Sequence, residues 1–232
     1  MIDLLSSAYV TGEDVAAHLR SLGECRVEVT RLERDGACTD FLAIEIPGLD
    51  AQAPRLGIVG RLGGIGARPA VSGLVSDSDG AVVALAAAAK MLGMAQRGDA
   101  MPGAVHIHTH ICPRAGTRPH HPVPMMRSPF PMREMMAHEV SPRMDAILSV
   151  DTTRGNRLVN HRGVALTPVA KEGWLLPIPD LLLDVMSWVS GELPVTLPLT
   201  TQDITPYENT LPHVNSIIQP AITTPTPVVM RD

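Results

Sequence analysis

The residues best suited to chemistry are carboxylates and imidazoles that close apolar runs. Asp77-Ser-Asp79-Gly80 stands immediately before an Ala-rich helical stretch. Carboxylates there can ligate a cation and are favoured by the partial positive charge of a helix N-terminus. The commoner role of such an aspartate is to cap the helix. His106-Ile-His108-Thr-His110 alternates, so all three imidazoles fall on one face of an extended strand. Successive rings then lie roughly 6–7 Å apart, too far for all three to share one ion. His110, nearest the carboxyl end of that strand, is the best single ligand, because open α/β sheets place their sites there. His106 is expected to pack within the sheet, and Cys112 to act as a small buried apolar group. Asp151 ends the run Ala146-Ile-Leu-Ser-Val150 and is equally suited to ligation or to a turn. Polar clusters at Thr152–Asn156, Asn160–Gly163, Lys171–Gly173 and Thr200–Pro206 supply Asn156, His161, Glu172 and Asp203, each a substrate-facing candidate or a turn-former.

Gly60-Arg-Leu-Gly-Gly-Ile-Gly66 is not a nucleotide loop. It has no Lys-Ser/Thr pair, and Arg68-Pro69 follows where a helix would have to open. No Gly-x-Ser-x-Gly elbow occurs, so serine-hydrolase chemistry lacks support.

The elements that must position these residues read as α/β. Thr11-Gly-Glu-Asp14 is a capping box with Asp in place of Glu, opening a helix that Gly23 closes. Arg26–Leu32 alternates like a half-buried strand. Asp40–Pro47 is its neighbour, with Arg34-Asp-Gly36 as the turn. Leu56–Gly60 and Ala146–Asp151 read as strands covered on both faces. Ala104–His110 is another strand, Gly80–Met94 and Asp180–Ser190 are helices, and Pro194–Pro198 and Thr226–Met230 are short late strands. Alternating strands and helices predict a mostly parallel (mixed) sheet with helices on both faces, a three-layer α/β/α arrangement. Ile111–Met132 is Pro-rich and aperiodic, with His120 and His121 adjacent. It reads as a long functional loop, a pocket wall or lid.

The 232 residues fit one domain, 1–232. A net charge of -5 and 3 % aromatic content argue against nucleic-acid partners and anionic membrane surfaces. No secretory signal or membrane span is visible, and three widely spaced cysteines make no disulfide framework, so the cytoplasm is expected.

With these segments in view, the chain resembles a bacterial family known as domain of unknown function 1177. The strings that carry the resemblance are Gly57–Pro69, Ser76–Ala81, Thr109–Pro113, Ala146–Asn156, Asn160–Gly163, Val169–Gly173 and Thr200–Pro206. They run in order along nearly the whole chain, and they bring no activity with them. A more distant resemblance is to the di-zinc aminopeptidase clan, which implies an aminopeptidase-like fold. It makes Asp79 or Asp77 similar to the clan's bridging carboxylate, and Asp151 similar to the one ending a later strand. Where the clan has His-x-Asp this chain has Arg61-Leu-Gly63, and where the clan has a glutamate pair it has Thr109-His110. The chain also stops early beside the family pattern, at Arg231-Asp232.

The reading that follows is a metal-dependent hydrolase of an amide bond in a peptide, an N-acyl amino acid or a cyclic amide. One divalent ion, zinc before manganese or iron, is held by Asp79 (or Asp77), His110 and Asp151. Glu172 or His161 serves as general base, and Arg61, Asn156 and Asp203 face the substrate. The alternatives are a metal-free acid–base enzyme, a lyase or isomerase working through His110 and Asp151, and a degenerate binding subunit without chemistry. A homo-oligomer or a partner subunit is expected in each case.

Overall fold

The computed structural model describes residues 1–7, 9–60, 74, 78–119, 125–150, 163–171, 174–197, 204–206, 214–218 and 228–230. The chain divides into two compact units, Met1–Thr152 and Thr153–Asp232.

The first unit opens with the short helix α1 (Ile2–Leu5) and helix α2 (Gly12–Leu22). The capping box that starts α2 forms as the sequence predicts. Thr11 Oγ1 accepts from the Asp14 N–H at 3.3 Å, and Asp14 Oδ2 accepts from the Thr11 N–H at 2.8 Å. Strands β1 (Arg26–Arg34) and β2 (Ala37–Ile46) follow as a hairpin. Its two-residue loop is Asp35-Gly36, with φ of 52° and 78°. Two consecutive positive φ values are what a type I′ turn demands, and they let Arg34 pair directly with Ala37.

Strand β3 (Leu56–Gly60), helix α3 (Asp79–Ala95) and strand β4 (Val105–Arg114) come next. Then β5 (Gly116–Arg118) pairs antiparallel with β6 (Met125–Arg127). Helix α4 (Met132–Glu139) and strand β7 (Ala146–Val150) complete the unit. The main sheet has the order β1-β2-β4-β3-β7. It is an open mixed α/β sheet: β1–β2 and β2–β4 are antiparallel, β3–β4 and β3–β7 parallel. The mixed sheet expected from the sequence forms, but it is half antiparallel where mostly parallel pairing is expected. A two-residue turn forces β2 to run against β1, whereas the α3 crossover returns β4 parallel to β3.

One face of this sheet packs under α2 and α3. Val105, Ile107 and Ile111 of β4 join Leu42, Ile44 and Ile46 of β2 there, against Val15 and Leu19 of α2 and Leu85 and Leu92 of α3. Gly60 allows α3 to sit this close, since a Cβ at that position would strike the Gly80 carbonyl and come within 2.6 Å of the Ala84 Cβ. The buried Asp40 anchors α2 to the same face. Its Oδ2 accepts from the Gly12 N–H at 2.7 Å, and Arg31 grips both carboxylate oxygens at 2.6 and 2.8 Å.

Helix α4 lies on the opposite face, with Met135 packed against Phe41 and Phe130. The guanidinium of Arg34 sits 4.7 Å from the Phe130 ring centre and holds Glu134 at 2.8 Å.

Two further expectations change. The stretch from Ile111 is not one long loop: Ile111–Arg114 extend β4, β5 and β6 form a hairpin, and α4 begins at Met132. Residues 120–124, with His120 and His121, lie outside the described residues. Strand β7 is not covered on both faces either. Among the described residues it pairs with β3 alone, and Ile147 and Leu148 remain 43 % and 41 % exposed.

In the second unit, strand β8 (Val169–Lys171) pairs antiparallel with β9 (Trp174–Leu176), and helix α5 (Asp180–Ser190) ends at Gly191 in the left-handed conformation. Residues 194–198, expected as a strand, contribute a single bridge from Thr196 to Leu166. Strands β10 (Ile204–Pro206), β11 (Val214–Ile218) and β12 (Val228–Met230) form a small antiparallel sheet. Among the described residues no helix is long and apolar enough to cross a membrane.

Candidate functional site

Strand β4 is the middle strand of the main sheet, and its alternation divides its side chains cleanly. Odd positions face the α2–α3 core, while His106, His108, His110 and Cys112 face the other way. All four are buried. The His106 and His108 rings are 6.4 Å apart and nearly perpendicular, as strand spacing predicts.

The middle of β4 is tied to the carboxyl end of β3, because the Thr109 hydroxyl donates to the Gly60 carbonyl at 2.9 Å. Gly60 in turn lies opposite Val150 at the end of β7. Strands β3 and β7 therefore end level with Thr109 while β4 runs on to Arg114, so His110 lies just past the ends of its parallel neighbours and not, as the sequence suggests, at the end of its own strand.

At this level His110 is enclosed. Its Nδ1 is 2.7 Å from Glu139 Oε1, the last residue of α4, and both side chains are essentially without solvent exposure. Phe41, opposite His110 in the β2–β4 register, lies 5.7 Å from its ring and stacks on His138 at 4.6 Å. Helix α4 thus delivers a carboxylate to the imidazole, and Phe41 of β2 walls the pair with an aromatic ring. A carboxylate at one ring nitrogen fixes the ring's orientation, sets its tautomer and raises the basicity of the other nitrogen. That is the support a ligating or proton-transferring histidine requires.

Sequence reasoning missed Glu139 because it missed α4. The signal was present. Pro131 precedes Met132-Arg-Glu-Met-Met-Ala-His-Glu139, a run of good helix formers with an acid in its first turn and a histidine in its last.

Asp79 is the first helical residue of α3 and is exposed; Ser78, not Asp79, occupies the cap position. Asp79 therefore adds charge to the first turn instead of capping it. It stands on the helix covering the core face, and His110 projects from the α4 face. No group of three or more His, Cys, Asp or Glu side chains able to hold one ion is present among the described residues. Asp77, Arg61, Asp151, Asn156, His161, Glu172 and Asp203 lie outside the described residues.

Burial pushes the Cys112 thiol up to about 12, and its sulfur lies 3.3 Å from the Thr39 hydroxyl, so it remains a neutral core group. Burial also lowers the pKa of His106 and His108 below the usual imidazole range.

An α/β protein with a carboxylate-supported histidine just past the ends of two parallel strands is the class that fold and geometry define. Residues 30–230 match the model of a family described as a protein of unknown function (DUF1177), and the chain belongs to that family. No curated protein matches the chain.

Proposed function

We propose that the chain is a metal-dependent hydrolase of an amide bond, acting on a peptide or small-molecule substrate on a three-layer, aminopeptidase-like scaffold. The single observation that carries this reading is the buried Glu139–His110 pair, just past the level at which β3 and β7 end. Burying a carboxylate is costly, and one placed on a histidine's Nδ1 is the outer-shell partner that metal-ligating imidazoles use.

His110 would hold a divalent ion, zinc before manganese or iron, together with Asp151 and Asp79 or Asp77. When bound, the ion supplies Lewis acidity towards the amide carbonyl and the attacking water. Glu172 or His161 takes up the proton of that water. Arg61 pairs with a substrate carboxylate, with Asn156 and Asp203 beside it. Glu139 keeps the His110 ring oriented throughout. We assign the protein to the cytoplasm and to a homo-oligomer or a complex with a partner subunit. The exposed Leu181, Trp188 and Val189 of α5 favour the association.

The same pair supports a second reading. A carboxylate-oriented imidazole is also the base half of a metal-free acid–base enzyme such as a lyase or isomerase.

Metal content of protein purified without chelator separates the two. About one ion per chain, lost in folded Asp79→Ala, His110→Ala and Asp151→Ala variants, supports the hydrolase. No metal, and no thermal shift on adding zinc, manganese or iron, overturns it.

A further inference from the structure

Helix α5 carries an apolar stripe that lies open. Residues four apart on a helix line up as a ridge on its surface. Leu181, Val185 and Val189 make one such ridge, and Leu193 follows just past the helix end. Asp180, Asp184 and Trp188 make the ridge beside it. All six of these helical residues are exposed, Trp188 by 72 % and Val189 by 84 %. Leu182, Leu183, Met186 and Ser187 on the other side of the helix are partly covered, so the open arc is continuous. On α2 the comparable stripe, Val15 and Leu19, is fully buried. A tryptophan side chain alone brings roughly 150–250 Å² to a contact, and contiguous apolar patches beyond a few hundred Å² mark interaction surfaces.

The charges along the stripe narrow its occupant. Asp180 and Asp184 are the charged residues of α5, and among the described residues neither has an ion-pair partner. Glu192 adds a third acid just past the helix, and no Lys, Arg or His occurs from Trp174 to Leu197. A second copy of α5 laid on the apolar ridge therefore brings more acids and no cation to the two aspartates. An anionic lipid surface repels them in the same way. A helix packed ridge into groove on Leu181, Val185 and Val189 runs its own neighbouring ridge along Asp180 and Asp184. Cations one turn apart on that second ridge satisfy both carboxylates.

We propose that α5 docks a basic amphipathic helix of a partner protein. The partner's apolar ridge lies on Leu181, Val185 and Val189, and Trp188 anchors the edge of the contact. Lysine or arginine side chains four residues apart pair with Asp180 and Asp184. This gives the association with a partner subunit its chemistry. It does not depend on the candidate metal centre, so metal content and docking stand or fall separately.

The test uses the full chain with Trp174→Phe, which leaves Trp188 as its one tryptophan, and circular dichroism checks that it stays folded. A helical peptide of about 18 residues, built from Leu and Lys at the matching spacing, is titrated while Trp188 emission is followed. Calorimetry on the unsubstituted chain reads the same binding without relying on that substitution. A saturable blue shift supports the docking. Asp180→Asn combined with Asp184→Asn weakens binding about tenfold, the loss expected for two ion pairs at the rim of a contact. Val189→Ser, at an exposed position, weakens it through the apolar ridge. Equal binding of a Leu–Glu peptide of the same spacing overturns the basic assignment. A blue shift that grows with protein concentration alone overturns it in favour of a second copy, and one produced by phosphatidylcholine vesicles in favour of lipid. Emission already blue and shielded from acrylamide before any peptide is added means that α5 is covered within the chain, and overturns it. Silence towards the Leu–Lys peptide overturns it outright.

Discussion

Removing the Glu139 side chain tests the central geometry most directly. Its Oε1 lies 2.7 Å from His110 Nδ1, with 0 % and 1 % side-chain exposure respectively, so water cannot replace the lost partner without rearrangement. Breaking a buried pair by deleting one member costs about 3–5 kcal/mol, mostly from the group left behind. At about 2–4 °C per kcal/mol for a chain of this size, Glu139→Ala lowers Tm by roughly 6–20 °C. Glu139→Gln loses less, because the amide oxygen still accepts from the ring N–H. The assay is urea unfolding of Glu139→Ala, His110→Ala and the double variant at neutral pH. A hydrogen bond to a charged group contributes about 1.5–3 kcal/mol, so the two single losses fail to add by about that amount. Additivity within about 0.5 kcal/mol would refute the pairing. The support proposed for His110 would go with it.

Thr11→Ala removes the hydroxyl half of the α2 capping box and costs about 1 kcal/mol in the same urea assay, and an unchanged midpoint refutes the cap's contribution. Of the three thiols, only Cys25 reacts with a disulfide reagent at pH 8 before unfolding. Cys38 and Cys112 are buried, and the Cys112 thiol is pushed up to about 12, so rapid labelling of two or more thiols contradicts the packing. His106 is held below its usual pKa first by burial and then by Arg143 and Arg55, against Glu45 and Asp145. The unfolded chain therefore binds its proton more readily. The stability this residue contributes is full above about pH 6.5 and is lost as pH falls below it. His106→Gln flattens the decline in Tm between pH 7 and pH 5, and an unchanged slope refutes the assignment. Asp145, drawn to about 2 by Arg55, loses its contribution only as pH falls from the ordinary aspartate range through that value.

How much could be read in advance depended on whether a signal was local. The α2 capping box and the Asp35-Gly36 turn rest on interactions within a few residues of sequence, and both were legible; the five residues of β3 were legible from their short apolar run, although their partners are far away in sequence. So was the shared face of His106, His108 and His110, which needs only the two-residue period of a strand. The antiparallel pairing of β2 with β4 was not, since it depends on where the crossover places β4 in the sheet and not on any local turn. The exposure of β7 was hidden for a similar reason: Ala-Ile-Leu-Ser-Val is as apolar as a central strand, and only its place at the sheet's edge leaves it open.

The site divides along the same line. His110 was legible as a residue type on the right strand face, but the strand continues past it to Arg114, and its partner Glu139 lies 29 positions later on a helix that the surrounding prolines disguised. A buried carboxylate carries no mark in the sequence, because Glu139 sits in a run of ordinary helix formers. Its meaning comes from what packs around it: Phe41 closes one side, Met135 fills the turn before it, and the enclosure turns a surface-type residue into a fixed partner for one ring nitrogen. A groove beside His106 and His108 depends on the same helix, since the turn that walls it follows α4 directly. Helix α4 therefore organises this face, and Met135→Ala, which loosens the helix without touching the pair, lowers the coupling between Glu139 and His110 in the double-variant urea cycle; an unchanged coupling refutes that role of the helix.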